Sequence, residues 1–257
     1  MNSQTLKGKV IENLFGRKGY ATNLELSKND LEAMRSLVVS RYIDLLSSSC
    51  PDIEPSAVNH GPQYYHNINL GDRHKEVFCK SNRMLSNDLT DFKQLDFYKR
   101  LKSVFGDGLG ADEELILASE FYWRIIRPNE PTDVGPIHAD SWFWTLQDIK
   151  PPDGKTRVKV WFSLFSEPGK SGLMYLEGSH LMAYEYSGEI RDGLLKPQPS
   201  FDSHSLPMVV FDGPPGQAFI FNEDLLHGGL VGGDLTRVSI EFYLVANTEA
   251  LQLSNLS

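Results

Sequence analysis

A mainly β fold with flanking helices is what this sequence predicts, and three observations predict it. Two apolar stripes at helical spacing lie within the first 110 residues. From about Leu115 the pattern changes to short apolar runs. Pro and Gly clusters at 128–136, 151–154, 168–172, 213–216 and 228–233 separate those runs, as turns separate the strands of a sandwich or barrel.

The first stripe, Ser27 to Leu46, places Leu31, Met34, Leu37, Val38, Tyr42 and Leu45 on one helical face, with Ser27 and Asp30 as a capping box. The second, residues 88–105, aligns Phe92, Leu95, Leu101 and Phe105 and stops at Gly106. Both stripes are packing surfaces rather than ligand sites. We expect one domain over residues 1–257, with residues 1–110 as helical support and 115–247 as the β core. The polar segment Tyr184 to Ser205 shows no period and predicts a loop beside a site mouth.

Composition narrows the class. With 257 residues, 40% of them hydrophobic and 11% aromatic, the chain can bury a sizeable core. No apolar run approaches the ~20 residues of a membrane span, and the start of the chain lacks the apolar region of a secretory signal. Cys50 and Cys79 have no metal spacing and read as free thiols, so a cytoplasmic location and no membrane partner are expected. A net charge of −9 disfavours nucleic acid, whose phosphates reward Lys and Arg. A local pair of arginines can still select a small anion.

The chemistry concentrates in His138-Ala139-Asp140, His227 and Arg237-Val238-Ser239. Two imidazoles and one carboxylate can cap one face of an Fe(II) ion and leave the other face open. If His138 and Asp140 lie in a strand, they point to the same side. Arg237 offers the planar two-pronged donor that a co-substrate carboxylate needs. The H-x-D pattern alone is common. Its weight comes from its company: the Gly-rich approach Gly213 to Phe221 ahead of His227, the stretch Ser171 to His180, and the strand-like run Val238 to Val245.

In order and spacing these pieces resemble the phytanoyl-CoA dioxygenase-like Fe(II)/2-oxoglutarate oxygenases, over about residues 120–245. The resemblance implies a double-stranded β-helix, the cupin-like jelly roll, with iron and 2-oxoglutarate at its mouth. Two positions depart from the family pattern. Glu177 stands where the family often has proline, and Gly229 where it often has a hydroxyl residue that helps hold the co-substrate. Ser239 is placed to take over that second role.

The resemblance implies metal ligation by His138, Asp140 and His227, and binding of the far carboxylate of 2-oxoglutarate by Arg237 with Ser239. Trp161, on one face with Lys159 and Ser163, is expected against the co-substrate, although an ordinary core tryptophan fits as well. Tyr122 and Arg124 alternate together just upstream of the iron motif. A charge among such apolar neighbours needs a partner: 2-oxoglutarate, an anionic substrate or a structural ion pair. Trp142, Trp144 and Tyr175 are candidates for an aromatic substrate wall, with Arg127 beside them. His180 is not assigned to the metal, and His60, His66, His74 and His204 read as solvated or structural.

The implied reaction is hydroxylation of an unactivated C–H bond of a small molecule, with O₂ as co-substrate and release of succinate and CO₂. It is iron-centred and needs no separate acid or base. The retained Asp140 favours hydroxylation over halogenation, which uses a site without this carboxylate. Desaturation, epoxidation and ring closure remain open, as do a peptide substrate and a non-catalytic, metal-binding cupin-like ligand sensor.

Overall fold

A computed structural model of the protein describes residues 3–108, 121–191 and 193–251. The expected onset of the β pattern near Leu115 therefore lies outside the described residues. Ten strands are described: β1 Tyr20–Ala21, β2 Phe121–Ile126, β3 Lys155–Phe165, β4 Gly172–Tyr175, β5 Tyr186–Arg191, β6 Leu194–Pro199, β7 Val209–Val210, β8 Ala218–Asn222, β9 His227–Leu230 and β10 Arg237–Asn247. They form a five-stranded sheet in the order β1-β8-β3-β10-β2, a three-stranded sheet β7-β4-β9, and a β5-β6 hairpin. All pairings are antiparallel. This is the jelly roll with flanking helices.

Strands β3 and β10 are the spine of the large sheet, paired from Val238↔Phe165 to Asn247↔Lys155. Their two-residue alternation sorts two kinds of side chain. Val158, Val160, Phe162, Ile240, Phe242 and Leu244 face outward into the main core. Lys159, Trp161, Ser163, Arg237, Ser239 and Glu241 alternate with them on the inner face. Both faces are buried, so the polar side chains of the inner face sit inside the roll rather than in water.

Helices cover the outer face: α1 Ser3–Phe15, α2 Lys28–Ser49, α3 Pro55–Asn59, α4 Arg73–Val77, α5 Leu89–Gln94 and α6 Asp96–Phe105. Met34, Val38, Tyr42, Phe97 and Leu101 join the same buried cluster as Val160 and Phe162. At roughly 1.5–3 kcal/mol per large apolar side chain fully buried, this helix–sheet layer is the main stabilising contact of the fold.

Three expectations change. The capping box is half realised: Ser27 Oγ accepts from Asp30 N at 3.1 Å. The Asp30 carboxylate instead accepts from Phe97 N at 3.0 Å and caps α6. The second predicted helix is two, because Leu95 is extended (φ −63°, ψ 145°) between α5 and α6, while Gly106 stops α6 at φ 83° as expected. The segment from Tyr184 is not irregular, since Tyr186↔Pro199 through Arg191↔Leu194 pair as a hairpin. Its exposed, mixed composition hides the strand period.

Candidate metal centre and co-substrate pocket

His138 and His227 are brought together by backbone pairing: His138 N donates to His227 O at 3.0 Å and His227 N to His138 O at 2.9 Å. Asp140 does not follow His138 along a strand, as the sequence reading had it. Ala139 is extended and Asp140 opens the helix α7, Asp140–Leu146, which turns its carboxylate back toward the imidazoles. Asp140 Oδ1 lies 3.6 Å from His138 Nε2 and 3.7 Å from His227 Nε2. One donor atom from each residue lies within 4.8 Å of the others. Metal bonds of about 2.1 Å put adjacent donors roughly 3 Å apart, so small side-chain rotations would bring all three onto one ion.

The tautomers are set from behind. His138 Nδ1 lies 2.9 Å from Pro136 O, and His227 Nδ1 lies 2.9 Å from Leu225 O. A carbonyl only accepts, so each Nδ1 carries the proton and each Nε2 lone pair faces the cluster. Burial pushes His227 down to about 4, which keeps it neutral at physiological pH. Burial acts the other way on Asp140, but Lys159, His227 and His138 outweigh it and hold the carboxyl well below its usual range. Asp140 Oδ2 is buried without a hydrogen-bond partner. Two inward-facing imidazole nitrogens and an under-satisfied carboxylate suit a divalent cation.

The inner face of β10 continues from there. Arg237 is 3% exposed and Ser239 fully buried. Arg237 Nη1 donates to Gly172 O, and the guanidinium lies 5.8 Å from the Trp161 ring. Its Nε has no partner, nor has Ser239 Oγ. Nε and Nη2 form the side-on edge of the fork, so a carboxylate there could take both N–H groups and the serine hydroxyl. Burial pulls Arg237 down to about 10, still charged at neutral pH.

Tyr122 and Arg124 meet Glu241. The Tyr122 hydroxyl donates to Glu241 Oε2 at 3.0 Å, and Arg124 Nη1 and Lys159 Nζ lie 3.5 and 3.9 Å from the same oxygen. Burial would raise Glu241, but Arg124, Lys159 and Arg237 override it and lower its pKa. Sequence reasoning placed Lys159 on one face with Trp161 and gave it no role, and two-residue alternation from Arg237 puts Glu241 on the same inner face. The signal was present: a Lys and a Glu amid apolar residues, each in step with a site residue on its own strand.

The aromatic wall is not assembled. Trp142 stacks on Tyr186 of the hairpin at 4.7 Å, Trp144 packs against Tyr243 at 5.4 Å, and Tyr175 sits with Tyr20 and Phe219 inside the roll. Helical spacing sends Trp142 and Trp144 to different neighbours. Arg127 is turned away to Asp133, donating through Nη2 at 2.7 Å and Nε at 2.9 Å. Its geometry is that of a structural clamp rather than a substrate contact.

Both departures from the family pattern have local reasons. Glu177 accepts from the Tyr20 hydroxyl at 2.8 Å, joining β1 to the turn after β4. A Cβ at Gly229 would come 2.6 Å from Val134 Cγ1 and 3.4 Å from Arg237 Nη2. Val134 fills the space a hydroxyl side chain would use.

Fold and site together define a jelly-roll protein able to hold one metal ion inside its barrel. The model of the phytanoyl-CoA dioxygenase (PhyH) family matches residues 48–230, more than two thirds of the chain. The chain belongs to the phytanoyl-CoA dioxygenase family. It is accordingly an oxygenase of the iron- and 2-oxoglutarate-dependent type. No curated protein matches in sequence. Among solved structures, EvdO2 from Micromonospora carbonacea var. aurantiaca is 16% identical with a TM-score of 0.57, covering 93% of this chain and 90% of that one. ThoJ, a non-heme monooxygenase in its apo form, is 12% identical at a TM-score of 0.54, covering 93% and 79%. EctD from S. alaskensis in its apoform is 15% identical at 0.50, covering 96% and 77%. EvdO2 is also known complexed with 2-oxoglutarate, and EctD with bound Fe. At these identities the likeness is one of fold.

Proposed function

We propose that this protein hydroxylates an unactivated C–H bond of a small molecule, with His138, Asp140 and His227 as the iron ligands and Arg237 with Ser239 as the 2-oxoglutarate clamp. The observation that carries the reading is the triad, with Asp140 and His227 buried and His138 half-buried, both Nε2 atoms aimed inward and one carboxylate oxygen unsatisfied. The ligands recorded for EvdO2 and EctD, which share this fold, support the same cofactor pair. Iron bound there with 2-oxoglutarate would supply the oxidation: one oxygen atom of O₂ would enter the C–H bond and the other the new carboxylate of succinate, with CO₂ released.

The chain's own residues position the reactants. The carbonyls of Pro136 and Leu225 hold the imidazoles in the ligating tautomer. Arg237 and Ser239, at the start of β10, receive the far carboxylate of the co-substrate, so its oxo-acid end can reach the triad. Trp161 closes one side of the guanidinium and keeps water from it. Glu241 gathers Tyr122, Arg124 and Lys159 into one polar group on the same face. Asp140 completes the ligand set that favours hydroxylation over halogenation.

The test is succinate formation as a function of 2-oxoglutarate, with iron content measured separately. Arg237→Ala removes a desolvated charge-assisted pair worth about 2–4 kcal/mol, so the 2-oxoglutarate requirement should rise roughly 30- to 1000-fold. Iron stoichiometry should stay near one. An unchanged 2-oxoglutarate dependence would reject the clamp and favour the metal-binding sensor.

A further inference from the structure

The 3-10 turn Pro62–Asn67, in the helical half of the chain, reaches toward the site in two directions. His66 N donates to Thr236 Oγ1 at 3.1 Å, and His66 Nδ1 lies 3.0 Å from the same oxygen. Thr236 N donates back to Gln63 O at 3.0 Å. Thr236 is fully buried and immediately precedes Arg237. The neighbouring Tyr65 hydroxyl is 2.8 Å from His74 Nδ1, and His74 Nε2 is 3.4 Å from Asp133 Oδ1.

Asp133 is the anchor of the segment that leads into His138. It accepts from Arg127 N at 2.8 Å and from the Arg127 side chain as well. From that anchor the chain lays Val134 over Gly229 and Ile137 over Gly228 before His138 pairs with His227. Gly228 and Gly229 admit this segment because a Cβ on either would strike Ile137 or Val134 within 2.7 Å. One short turn thus holds the residue before the co-substrate arginine and, through His74, the strap that carries a metal ligand.

We infer that Pro62–Asn67 is a positioning element with two separable arms: Thr236 sets the placement of Arg237 for 2-oxoglutarate, and Tyr65–His74–Asp133 sets the placement of His138 for the metal. This rests on the reading of the site given under Proposed function. Misplacements well under an ångström matter at such sites, because a guanidinium fork and a three-donor cluster both depend on aligned geometry. The arms touch neither ligand. Each should therefore change one binding constant and spare the other.

The experiment uses the full chain under anaerobic conditions. Fe(II) affinity is read by competition with a chelator, 2-oxoglutarate affinity by calorimetry at saturating Fe(II), and folding by the thermal midpoint. Thr236→Val should weaken 2-oxoglutarate roughly 3- to 10-fold with Fe(II) affinity within about twofold, and Thr236→Ser should restore it. His74→Gln should weaken Fe(II) roughly 3- to 10-fold and leave 2-oxoglutarate at saturating metal nearly unchanged, with the milder Tyr65→Phe following in the same direction. Parallel loss of both affinities along with the thermal midpoint would make the turn a general support and overturn the inference, as would no change in either. Arg237→Ala is the control. If it weakens 2-oxoglutarate and Thr236→Val does not, only the positioning role fails. If Arg237→Ala itself has no effect, the clamp assignment fails and this inference falls with it.

Discussion

Gly229 shows how one missing side chain shapes the pocket. The space its Cβ would take is held by Val134, and Arg237 Nη2 lies just beyond. Gly229→Ser should therefore push the strap away from β9 and crowd the arginine, at a cost of about 1–3 kcal/mol from overpacking. Val134→Ala in the same chain should recover most of that loss by opening the space. The check is the thermal midpoint of the two single variants and the double. Equal loss in Gly229→Ser with and without Val134→Ala would mean that the strap is not the obstacle. At this scale the sequence was informative about donors and poor about pairings. The cluster of His138, Asp140 and His227 was legible because metal chemistry restricts residue type. The commitments of Arg127 to Asp133 and of Arg124 to Glu241 were not, since any of several acids could have met those arginines.

Among the elements, helix α2 does more than cover the sheet. Its residue Asp30, 7% exposed, sends a carboxylate to the N-terminus of α6. Asp30→Ala should cost about 2 kcal/mol, because it leaves a buried N–H unsatisfied and removes a negative charge from a helix start. Ser27→Ala, which loses only an exposed local cap, should cost about 1 kcal/mol or less. Urea unfolding of both variants separates them, and an equal loss would argue against the cross-helix cap. The apolar periods of α2 and α6 were readable because one face of each is buried and the other wet. The break at Leu95 was not, because apolar spacing runs through it without interruption. Nor was the β5-β6 hairpin, whose side chains are mostly exposed and so carry no alternation. The two-residue spacing of His138 and Asp140 suggested a strand, yet a strand end followed by a helix start also turns both inward.

For the whole molecule, the helical layer and the outer face of the large sheet share one buried cluster that runs from Val10 to Leu251. We expect a single cooperative unfolding transition, with circular dichroism and tryptophan fluorescence giving the same midpoint in urea. Limited proteolysis should not release a folded fragment of about residues 1–110, and recovery of one would show that the helices form their own domain. The jelly roll as a class was legible from turn punctuation together with the motif order. The strand order was not, because it depends on which distant segments meet.

That order bears on how the chain reaches its native state. In the large sheet, β1 at Tyr20–Ala21 pairs with β8 at Ile220–Phe221, and β3 is flanked by β8 and β10. Neither β8 nor β10 exists while β3 is leaving the ribosome. β3, the central strand, is made before both of its neighbours, so its apolar side chains stay unpaired until β8 and then β10 follow. Closing such long loops is entropically slow, and the waiting segment is open to aggregation. Yield during expression should therefore respond more to growth temperature and chaperone supply than the stability of the finished fold would suggest.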